Sequence, residues 1–375
     1  MARGIYSLAP RTGWANFQIT KNTGVLPFLF HKLFGFRSVM VGTKIDDYNQ
    51  QKFVPGLELD FLPDAGEQTK LRYIEAHRDE MDVLLLHGPD ESYFPVVEHY
   101  KRIRPDGKVY LELDLNSYSA ERVDCASPAF LRFISSCDVV VASCCRIQKY
   151  ISARWPCVVD CLMNGFFNLG GVHLMTPREY IDTYESRENV ILSVGRIGNK
   201  EKNNEELLEA FARLGNDAKD FRVRLVGPVE EGFAKWLEGD FLARFPRLGD
   251  RVELSGAIYD KKKLMREYQR AKIFVISSPL EGGTPNVAAE ALHGGCSMVT
   301  SDIDAAQEVI DGGKCGDMYE HGDVDALARV LCSQISDEER LIGNGLHAIE
   351  YAHAKFDFEK IARHAYYLLY GEAPR

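Results

Sequence analysis

The sequence lacks the apolar stretches that mark membrane-spanning and exported chains. No window approaches the roughly 18 consecutive apolar residues of a spanning helix. Residues 1–6 lack the apolar core of a signal peptide and lead directly into a strand pattern. No low-complexity tract or short-period repeat is present, which excludes a repeat array. With 45% hydrophobic and 27% charged residues, we expect a globular cytoplasmic protein. Localisation at the inner face of the membrane is a second option.

Cysteines with the spacing of a metal site are also missing. The nine cysteines are an odd number, and Cys144, Cys145 and Cys296 lie in apolar, strand-like contexts. Such positions suit buried thiols in a reducing cytoplasm better than disulfides. Cys157 and Cys161 have no second pair at the spacing of a zinc site, so we prefer ordinary packing to metal binding for them.

Acidic residues are absent from the first 45 positions, although the whole chain has a net charge of −10. The overall charge argues against nucleic-acid binding. Within residues 1–45, basic side chains surround the aromatic segment 25–34; they are Arg3, Arg11, Lys21, Lys32, Arg37 and Lys44. Two interpretations stay open for the segment: a buried helix, or a partly exposed face that meets a membrane or a lipid-linked substrate.

Alternating strand and helix patterns predict two α/β domains, because 375 residues exceed one ordinary core. Strands separated by helices form right-handed βαβ units and a parallel sheet. Between the two halves, the polar and irregular residues 166–189 are interpreted as a linker. The predicted strands cover residues 4–8, 38–41, 81–89, 108–114, 138–143, 157–162, 189–196, 222–226, 252–254, 273–276 and 297–301.

The loop that follows strand 273–276 carries the clearest ligand-binding pattern. It is rich in glycine and proline and leads into a helix, for which Thr284 is the predicted N-cap and Pro285 the first residue. The helix should end at 293–295, where a glycine can adopt the left-handed conformation. Unpaired N–H groups and the helix dipole together attract anions at such a start. The pattern therefore predicts a phosphate-bearing ligand, with a glutamate on either side for hydroxyl groups.

Other ligand-type loops follow the remaining predicted strands. In open parallel sheets, ligands bind at the carboxyl ends of the strands. The residues at these ends are Gly13, His87-Gly88, Asp114, Gly195-Arg196, Gly227, Gly256 and Glu281.

Residues 189–330 resemble the family 4 retaining glycosyltransferases (glycosyl transferases group 1) of the GT-B fold. Residues 193–196, followed by Lys202-Asn203 and the helical run 207–211, are similar to the family's strand–Gly–Arg–loop–Lys–helix element. The run 356–370 is similar to the family's final helix. Further matches follow in the family's order: Val226-Gly227, Leu254-Ser255-Gly256, Ser278, Glu281, Glu290-Ala291 and Gly295.

The resemblance implies two Rossmann-like, doubly wound parallel-sheet domains that face each other across a cleft. An acceptor-binding domain would span residues 1–168, and a domain binding the nucleotide-sugar donor would span 169–355. The last helix, about 356–375, would pack back onto the first domain.

The resemblance also implies roles for individual residues. Arg196 and Lys202 would hold the nucleotide diphosphate and stabilise it as a leaving anion, with Lys200 as an alternative to Lys202. Glu290 would accept hydrogen bonds from the ribose, and Glu281 from the donor sugar. For each of these charged groups, a solvated surface position is the alternative. The other implied donor contacts are Gly13, Ile258, Gly283, Thr284, Pro285 and Asn286.

Two departures from the family pattern concern the catalytic residues. Eight residues separate Glu281 from Glu290, where the family usually has seven, and we expect the Gly-Gly turn to absorb the extra one. The histidine that many members carry at the end of a first-domain strand is missing. Asp114 is the predicted substitute, as a hydroxyl acceptor or as electrostatic support for an oxocarbenium-like state. His87, on the neighbouring strand end, is either a further catalytic candidate or a structural histidine.

The implied activity is retaining transfer of a sugar from a nucleotide-sugar, with UDP-sugars favoured, to a glycan or lipid-linked acceptor in surface polysaccharide or glycolipid synthesis. The departing phosphate would help to deprotonate the acceptor, so no enzymic nucleophile is needed. Two alternatives stay open: a nucleotide-sugar epimerase or disaccharide synthase of the same fold, and a catalytically silent binding homologue.

A metal is not part of this prediction, and the nucleotide-sugar is a co-substrate rather than a cofactor. Two D-x-D patterns, at 302–304 and 323–325, match a metal–diphosphate motif of the other glycosyltransferase fold. Three-residue patterns arise by chance, and Arg196 and Lys202 already supply positive charge. We therefore expect a metal-independent enzyme.

Overall fold

The strands form two separate parallel sheets, as the alternating pattern predicts. The computed structural model describes residues 3–169 and 171–372. Unit 1 consists of residues up to 169 together with those from 357 onward, and unit 2 consists of the residues between them. The last helix, predicted over about 356–375, ends at Tyr370 before a left-handed Gly371, and residues 373–375 lie outside the described residues.

The sheet of unit 1 has seven strands in the order β3-β2-β1-β4-β5-β6-β7, all parallel. The order reverses between β1 and β4, whose carboxyl ends therefore flank the crevice where ligands bind in such sheets. The strands are β1 (Gly4–Leu8), β2 (Arg37–Thr43), β3 (Leu57–Leu62), β4 (Met81–His87), β5 (Lys108–Leu113), β6 (Val139–Ala142) and β7 (Asp160–Cys161).

The sheet of unit 2 has six strands in the order β10-β9-β8-β11-β12-β13, again all parallel. Here the order reverses between β8 and β11. The strands are β8 (Glu188–Val194), β9 (Arg222–Val226), β10 (Val252–Gly256), β11 (Ala271–Ile276), β12 (Ser297–Ser301) and β13 (Gly316–Tyr319).

The helices connect successive strands, which is the expected pattern of βαβ units. They are α1 (Asn22–Phe34), α2 (Glu67–His77), α3 (Phe94–Ile103), α4 (Ser117–Glu121), α5 (Pro128–Ser135), α6 (Cys145–Ser152), α7 (Pro177–Thr183), α8 (Asn204–Leu214), α9 (Glu231–Trp236), α10 (Leu242–Arg244), α11 (Lys261–Arg270), α12 (Asn286–His293), α13 (Ala306–Val309), α14 (Val324–Ser336), α15 (Glu338–Lys355) and α16 (Phe358–Tyr370).

The aromatic segment near the N-terminus is part of the core of unit 1. Its residues from 22 to 30 are all buried in α1, and Leu29 and Phe30 have no exposed surface. The lipid-binding interpretation is therefore wrong for these side chains, since a face that meets lipid must be accessible. Among the described residues, no helix is both long and apolar enough to cross a membrane.

The last helix, α16, belongs to unit 1 and packs on α1. The Tyr366 ring lies 4.6 Å from that of Phe34 and 6.3 Å from that of Phe30, centroid to centroid. At the helix start, Lys32 donates a 2.6 Å hydrogen bond to Glu359. The final helix thus completes an apolar core that the first 169 residues begin.

Two parts of the predicted chain organisation are wrong. The supposed linker 166–189 contains α7, which starts with Thr176 and Glu179 in a reciprocal capping box. Tyr180, in α7, has only 1% of its surface exposed. In addition, strands β3 and β13 are absent from the prediction. Both lie at an edge of their sheet, and an edge strand has a weaker apolar signal than a central one.

Candidate functional site

In unit 2, loops from both sides of the strand-order reversal meet at the carboxyl edge of the sheet. Strand β8 ends at Val194 and is followed by Gly195, while the neighbouring β11 ends at Ile276 and is followed by Ser277. An added Cβ on Gly195 would lie 3.6 Å from Cγ of Lys202, so the lysine stem extends over the glycine. The residue types predicted to bind the donor therefore collect at the ligand-binding crevice of this sheet.

Lys202 and Glu281 form an ion pair at this position. The Ser278 hydroxyl donates a 2.6 Å hydrogen bond to Oε1 of Glu281, the same oxygen that Lys202 contacts. The two charged side chains are only 24% and 16% exposed. The fold thus brings together a cation and a carboxylate that are 79 residues apart in the sequence, and it partly shields them from water.

Serine hydroxyls tie the neighbouring loops together behind this pair. Ser277 Oγ donates to the carbonyl of Lys202 at 2.8 Å, which links the loop after β11 to the loop after β8. Ser301 Oγ, at the end of β12, donates to the carbonyl of Ser278 at 2.6 Å. All three serines are buried. Because the hydroxyls of Ser277 and Ser301 bond directly to backbone carbonyls, the three loops hold a fixed relative position.

The loop before α12 has the predicted turn but a different helix start. The N-cap is Pro285, with an extended ψ of 134°, and the helix begins at Asn286. Thr284 is therefore not the N-cap, because the proline backbone itself remains non-helical. Gly283 takes a φ of +80°, a conformation that glycine adopts without strain, so a left-handed residue lies within the eight-residue spacer. The predicted helix end is confirmed, since α12 stops at His293 and Gly295 is left-handed.

Glu290 projects from α12 into the interior of unit 2, with 9% of its surface exposed. The Tyr268 hydroxyl donates a 2.7 Å hydrogen bond to its Oε2 atom. Its Oε1 atom lies 3.9 Å from Nζ of Lys261. Burial, followed by the nearby Glu290 charge, raises the pKa of Tyr268 well above its usual value, so the hydroxyl remains a donor. One carboxylate oxygen is thereby fixed, and the other faces a cation.

The remaining donor candidates of unit 2 are more exposed. Arg196 pairs with Glu201, and the two side chains are 57% and 67% exposed. Exposed pairs of this kind contribute little to stability, so Arg196 can exchange its partner easily. Ile258 lies half-buried in the loop between β10 and α11. The next residue, Tyr259, has 83% of its surface exposed.

In unit 1, His87 ends β4 and belongs to a buried polar group at the strand-order reversal. Its Nε2 lies 3.2 Å from Oγ of Ser7, and its Nδ1 lies 3.2 Å from Oε2 of Glu112. Strand register places His87 directly beside Glu112. The Nδ1 and Oε2 atoms approach closely but lack the alignment of a hydrogen bond. Asn22 donates a 2.7 Å hydrogen bond to the other Glu112 oxygen.

This environment decides the ionisation of Glu112. Burial raises the pKa of its carboxyl group, but His87 and the Asn22 amide outweigh that effect, and the pKa lies below its usual value. Trp14 covers the other side of His87, with its ring edge-to-face at 5.3 Å. These partners support the structural interpretation of His87, although the residue also lines an open cavity.

That cavity of unit 1 has a volume of about 450 Å³, within the size range of small-molecule sites. Arg11, which is 79% exposed, pairs with Asp90 at 2.8 Å on its wall. The other wall residues that carry charge are Glu91, Arg122 and Asp124. Polar walls of both signs suit a ligand with many hydroxyl groups.

Two other predicted residues of unit 1 lie outside this group of wall residues. Asp114 is exposed immediately after β5. Gly13 lies so close to the carbonyl oxygen of Thr43 that an added Cβ would collide with it. A close backbone approach thus explains this glycine structurally, and its contact with a donor stays a prediction.

The D-x-D carboxylates have partners within unit 2. Asp302 accepts a 2.9 Å hydrogen bond from the backbone N–H of His321. Asp323 caps α14 by accepting a 2.8 Å hydrogen bond from the N–H of Ala326. Among the residues that the structure describes, no cluster of three or more His, Cys, Asp or Glu side chains could hold a metal ion.

Tyr268 and Lys261 are the site residues that sequence reasoning missed. Both lie on α11, an amphipathic helix between β10 and β11. Nothing in that pattern marks one tyrosine of an amphipathic helix as the partner of a glutamate 22 residues later. The signal lies in the packing of α11 against α12.

Residues 188–337 match the model of the family Glycosyl transferases group 1. The phosphatidyl-myo-inositol mannosyltransferase of Mycolicibacterium smegmatis is 26% identical to this chain over 184 residues. The alignment covers 48% of this chain and 45% of the mannosyltransferase, so less than half of that enzyme's length is matched. The resemblance stated from the motifs is confirmed.

Solved structures cover nearly the whole chain. Anabaena HepE in complex with UDP has a TM-score of 0.74 and 17% identity, over 99% of this chain and 100% of that one. Sucrose-phosphate synthase from Thermosynechococcus elongatus has a TM-score of 0.72 and 18% identity, over 98% of each chain. At such low identity the likeness shows the fold, which is the predicted GT-B fold.

Proposed function

We propose, from the premise that residues 188–337 form a glycosyl transferases group 1 domain, that this protein transfers a sugar from a nucleotide-sugar to an acceptor hydroxyl. One observation carries the proposal: Lys202 and Glu281 are paired at the strand-order reversal of unit 2. A fixed cation at that crevice suits a diphosphate, and the adjacent carboxylate suits sugar hydroxyls.

Lys202 and Arg196 bind the diphosphate in this proposal. As the bond between sugar and phosphate breaks, negative charge grows on the departing phosphate, and cations already in place stabilise it. Arg196 leaves its exposed partner Glu201 for the ligand at little cost. We propose that these two residues make a metal unnecessary, because they supply positive charge where the leaving group develops its own.

Glu290 binds the ribose hydroxyls of the nucleotide. Tyr268 holds one carboxylate oxygen, which leaves Oε1 as the acceptor for the ligand. We favour a UDP-sugar as the donor, and the UDP bound in the Anabaena HepE structure supports this choice. The backbone of residues 283–286 contacts the distal phosphate or the sugar.

Retention of anomeric configuration belongs to the proposal as well. Glu281 is held through Oε1 by Lys202 and Ser278, and we assign it as a hydroxyl acceptor for the donor sugar rather than as a nucleophile. The departing phosphate then takes the acceptor proton. His87 and Asp114 stay predicted contributors from unit 1.

The acceptor, a glycan or a lipid-linked glycan of surface polysaccharide or glycolipid synthesis, binds in unit 1. The cavity at the carboxyl ends of β1 and β4 supports this assignment, because both arginine and carboxylate side chains lie on its walls. A cytoplasmic enzyme that meets acceptors at the inner face of a membrane fits the proposal, although the buried aromatic residues of α1 do not provide a lipid contact.

A donor screen tests the proposal. The unfolding temperature of the full chain is measured with UDP-, GDP- and ADP-sugars, for the wild type, Lys202→Ala and the matched control Lys235→Ala. Lys235 is a 74% exposed lysine of the same unit, in an i,i+4 ion pair with Glu231. We expect one nucleotide series to stabilise the wild type and the control, with the shift largely lost in Lys202→Ala.

The transfer step is then followed with the donor that binds. Slow release of free nucleotide that accelerates with an added glycan acceptor supports glycosyl transfer. An epimerised nucleotide-sugar would instead identify an epimerase. If no nucleotide stabilises the wild type, or if Lys202→Ala responds like the control, the proposed site is wrong.

A further inference from the structure

Two cysteine thiols of unit 1 lie close enough to react with each other. Sγ of Cys145 and Sγ of Cys161 are 3.1 Å apart. This separation is about 1 Å longer than a disulfide bond of about 2.05 Å, so the sulfurs need to approach by only about that distance to bond. We propose that Cys145 and Cys161 are a redox modification site that forms a reversible intramolecular disulfide.

The fold itself brings the two sulfurs together. Cys161 ends β7, which pairs with β6 in a register that places Ala142 beside Cys161. Cys145 begins α6, three residues after β6 ends. Since a strand end and a helix start hold both residues, their proximity is a property of regular structure and does not depend on a loop conformation.

Accessibility distinguishes this pair from other cysteines of the chain. Cys145 is exposed and Cys161 is half-buried, so a small oxidant can reach the sulfurs. Cys145 is also the first residue of an eight-residue helix, where the dipole favours a thiolate. By contrast, Cys296 and Cys315 are buried, and burial raises the pKa of their thiols to about 11 and about 12. Those thiols stay protonated and unreactive.

The reaction balances with a peroxide as the oxidant. The Cys145 thiolate attacks one oxygen of hydrogen peroxide, the O–O bond breaks, and hydroxide leaves to give a sulfenic acid. The Cys161 thiol then attacks the sulfenic sulfur, its proton joins the departing hydroxide, and water is released. Two thiols and one peroxide thus give one disulfide and two waters, and a dithiol reductant reverses the change.

The disulfide would close a chain segment whose ends are 16 positions apart. This segment contains α6 and the turn that follows it, where Arg154 and Val158 are exposed. Strand β7 is only two residues long, so the covalent bond would add a strong restraint to a weakly held edge of the sheet. We expect slower hydrogen exchange and slower proteolysis in residues 153–159 after oxidation.

The test treats the purified full chain with hydrogen peroxide in the presence of a chelator and then blocks remaining thiols with an alkylating reagent. Trypsin leaves the two cysteines on separate peptides, 133–146 and 155–178. We expect these peptides to join with the loss of two hydrogens and to separate on reduction. Fragmentation of the joined wild-type peptides shows whether the bond starts at Cys145 or at its neighbour Cys144.

Two single variants sharpen the result. Cys145→Ser should abolish the joined peptide, while the matched control Cys157→Ser, altered on the same tryptic peptide as Cys161, should retain it. If Cys145 and Cys161 of the wild type are both still alkylated after peroxide treatment, no disulfide has formed between them and the proposal is overturned. A bond that persists in Cys145→Ser, or that maps to Cys137, Cys144 or Cys157, also overturns it. The wild-type fragmentation decides the question even if a variant fails to fold.

Discussion

Acidification should weaken unit 2 through a single buried histidine. His293 is the last residue of α12, the helix that carries Glu290, and only 2% of its surface is exposed. The His353 ring of α15 lies edge-to-face with it at 5.1 Å. Burial, followed by the charge on His353, lowers the pKa of His293 to about 3, while a hydrogen bond with the Phe356 backbone acts in the opposite direction.

The sign and size of the effect follow from proton binding. The unfolded chain binds the His293 proton with a pKa of about 6.5 and the folded chain with a pKa of about 3, so the unfolded state holds more protons in between. Stability is therefore complete above about pH 6.5 and falls as the pH drops toward about 3. At about pH 5 the loss amounts to roughly 2 kcal/mol, since each pH unit below the unfolded pKa contributes about 1.4 kcal/mol.

The assay must separate the two units, because a chain of this organisation need not unfold in one step. Urea titrations followed by pulsed hydrogen exchange and mass spectrometry resolve peptides of unit 2 from those of unit 1. The comparison uses the wild type, His293→Gln and the control His173→Gln, whose histidine is 71% exposed in the same unit. The quantity compared is the change in the free energy of unfolding between about pH 7.5 and pH 5, because a substitution can also shift stability by the same amount at both pH values.

We expect His293→Gln to lose roughly 2 kcal/mol less than the wild type on acidification, while His173→Gln behaves like the wild type. Equal losses in the wild type and His293→Gln would refute the reasoning. That result would mean that the buried imidazole accepts a proton without opening its surroundings.

Three further predictions concern nucleotide binding and transfer. Glu290→Ala should raise the nucleotide Kd roughly 10- to 100-fold by removing a charged hydrogen-bond acceptor, and Tyr268→Phe should raise it about fivefold by releasing one carboxylate oxygen. The control Tyr184→Phe removes a hydroxyl that has no hydrogen-bond partner in the described part of the chain. Both variants are measured by calorimetric titration with the nucleotide. Equal Kd values for Tyr268→Phe and this control would contradict the assignment. Glu281→Ala should lower kcat by more than tenfold with little change in nucleotide Kd, because Glu281 binds the sugar rather than the nucleotide. An unchanged kcat in a coupled nucleotide-release assay would exclude that role.

Much of the fold follows from the sequence because central parallel strands carry continuous apolar runs. Strands β1, β9 and β12 have the predicted bounds. Strand β3 was missed, although Leu57-Glu58-Leu59-Asp60-Phe61-Leu62 shows the alternation of a half-exposed edge strand. Helix α7 is also absent from the prediction, because its start signal of Thr176-Pro177 with Glu179 opens a short and mostly polar helix without a clear apolar periodicity.

The candidate site also has a part that could be predicted from the sequence and a part that could not. The loop pattern before α12 indicated Glu281 and Glu290, and the family resemblance indicated Lys202. The partners of these residues could not be predicted, because they depend on contacts between distant elements. The shared contact of Lys202 and Ser278 with one Glu281 oxygen, and the pairing of His87 with Glu112 across strands, require the sheet register of the folded chain.

The placement of α16 has a consequence for synthesis on the ribosome. Unit 1 consists of chain on both sides of unit 2, so residues 170–356 are translated before the segment that completes the first core. Until α16 emerges, the rings of Phe30, Phe34 and Phe36 lack the covering tyrosines Tyr366 and Tyr370. The nascent chain therefore carries an uncovered aromatic surface through the whole translation of unit 2, and exposed apolar surface of this kind makes incompletely folded chains prone to aggregate.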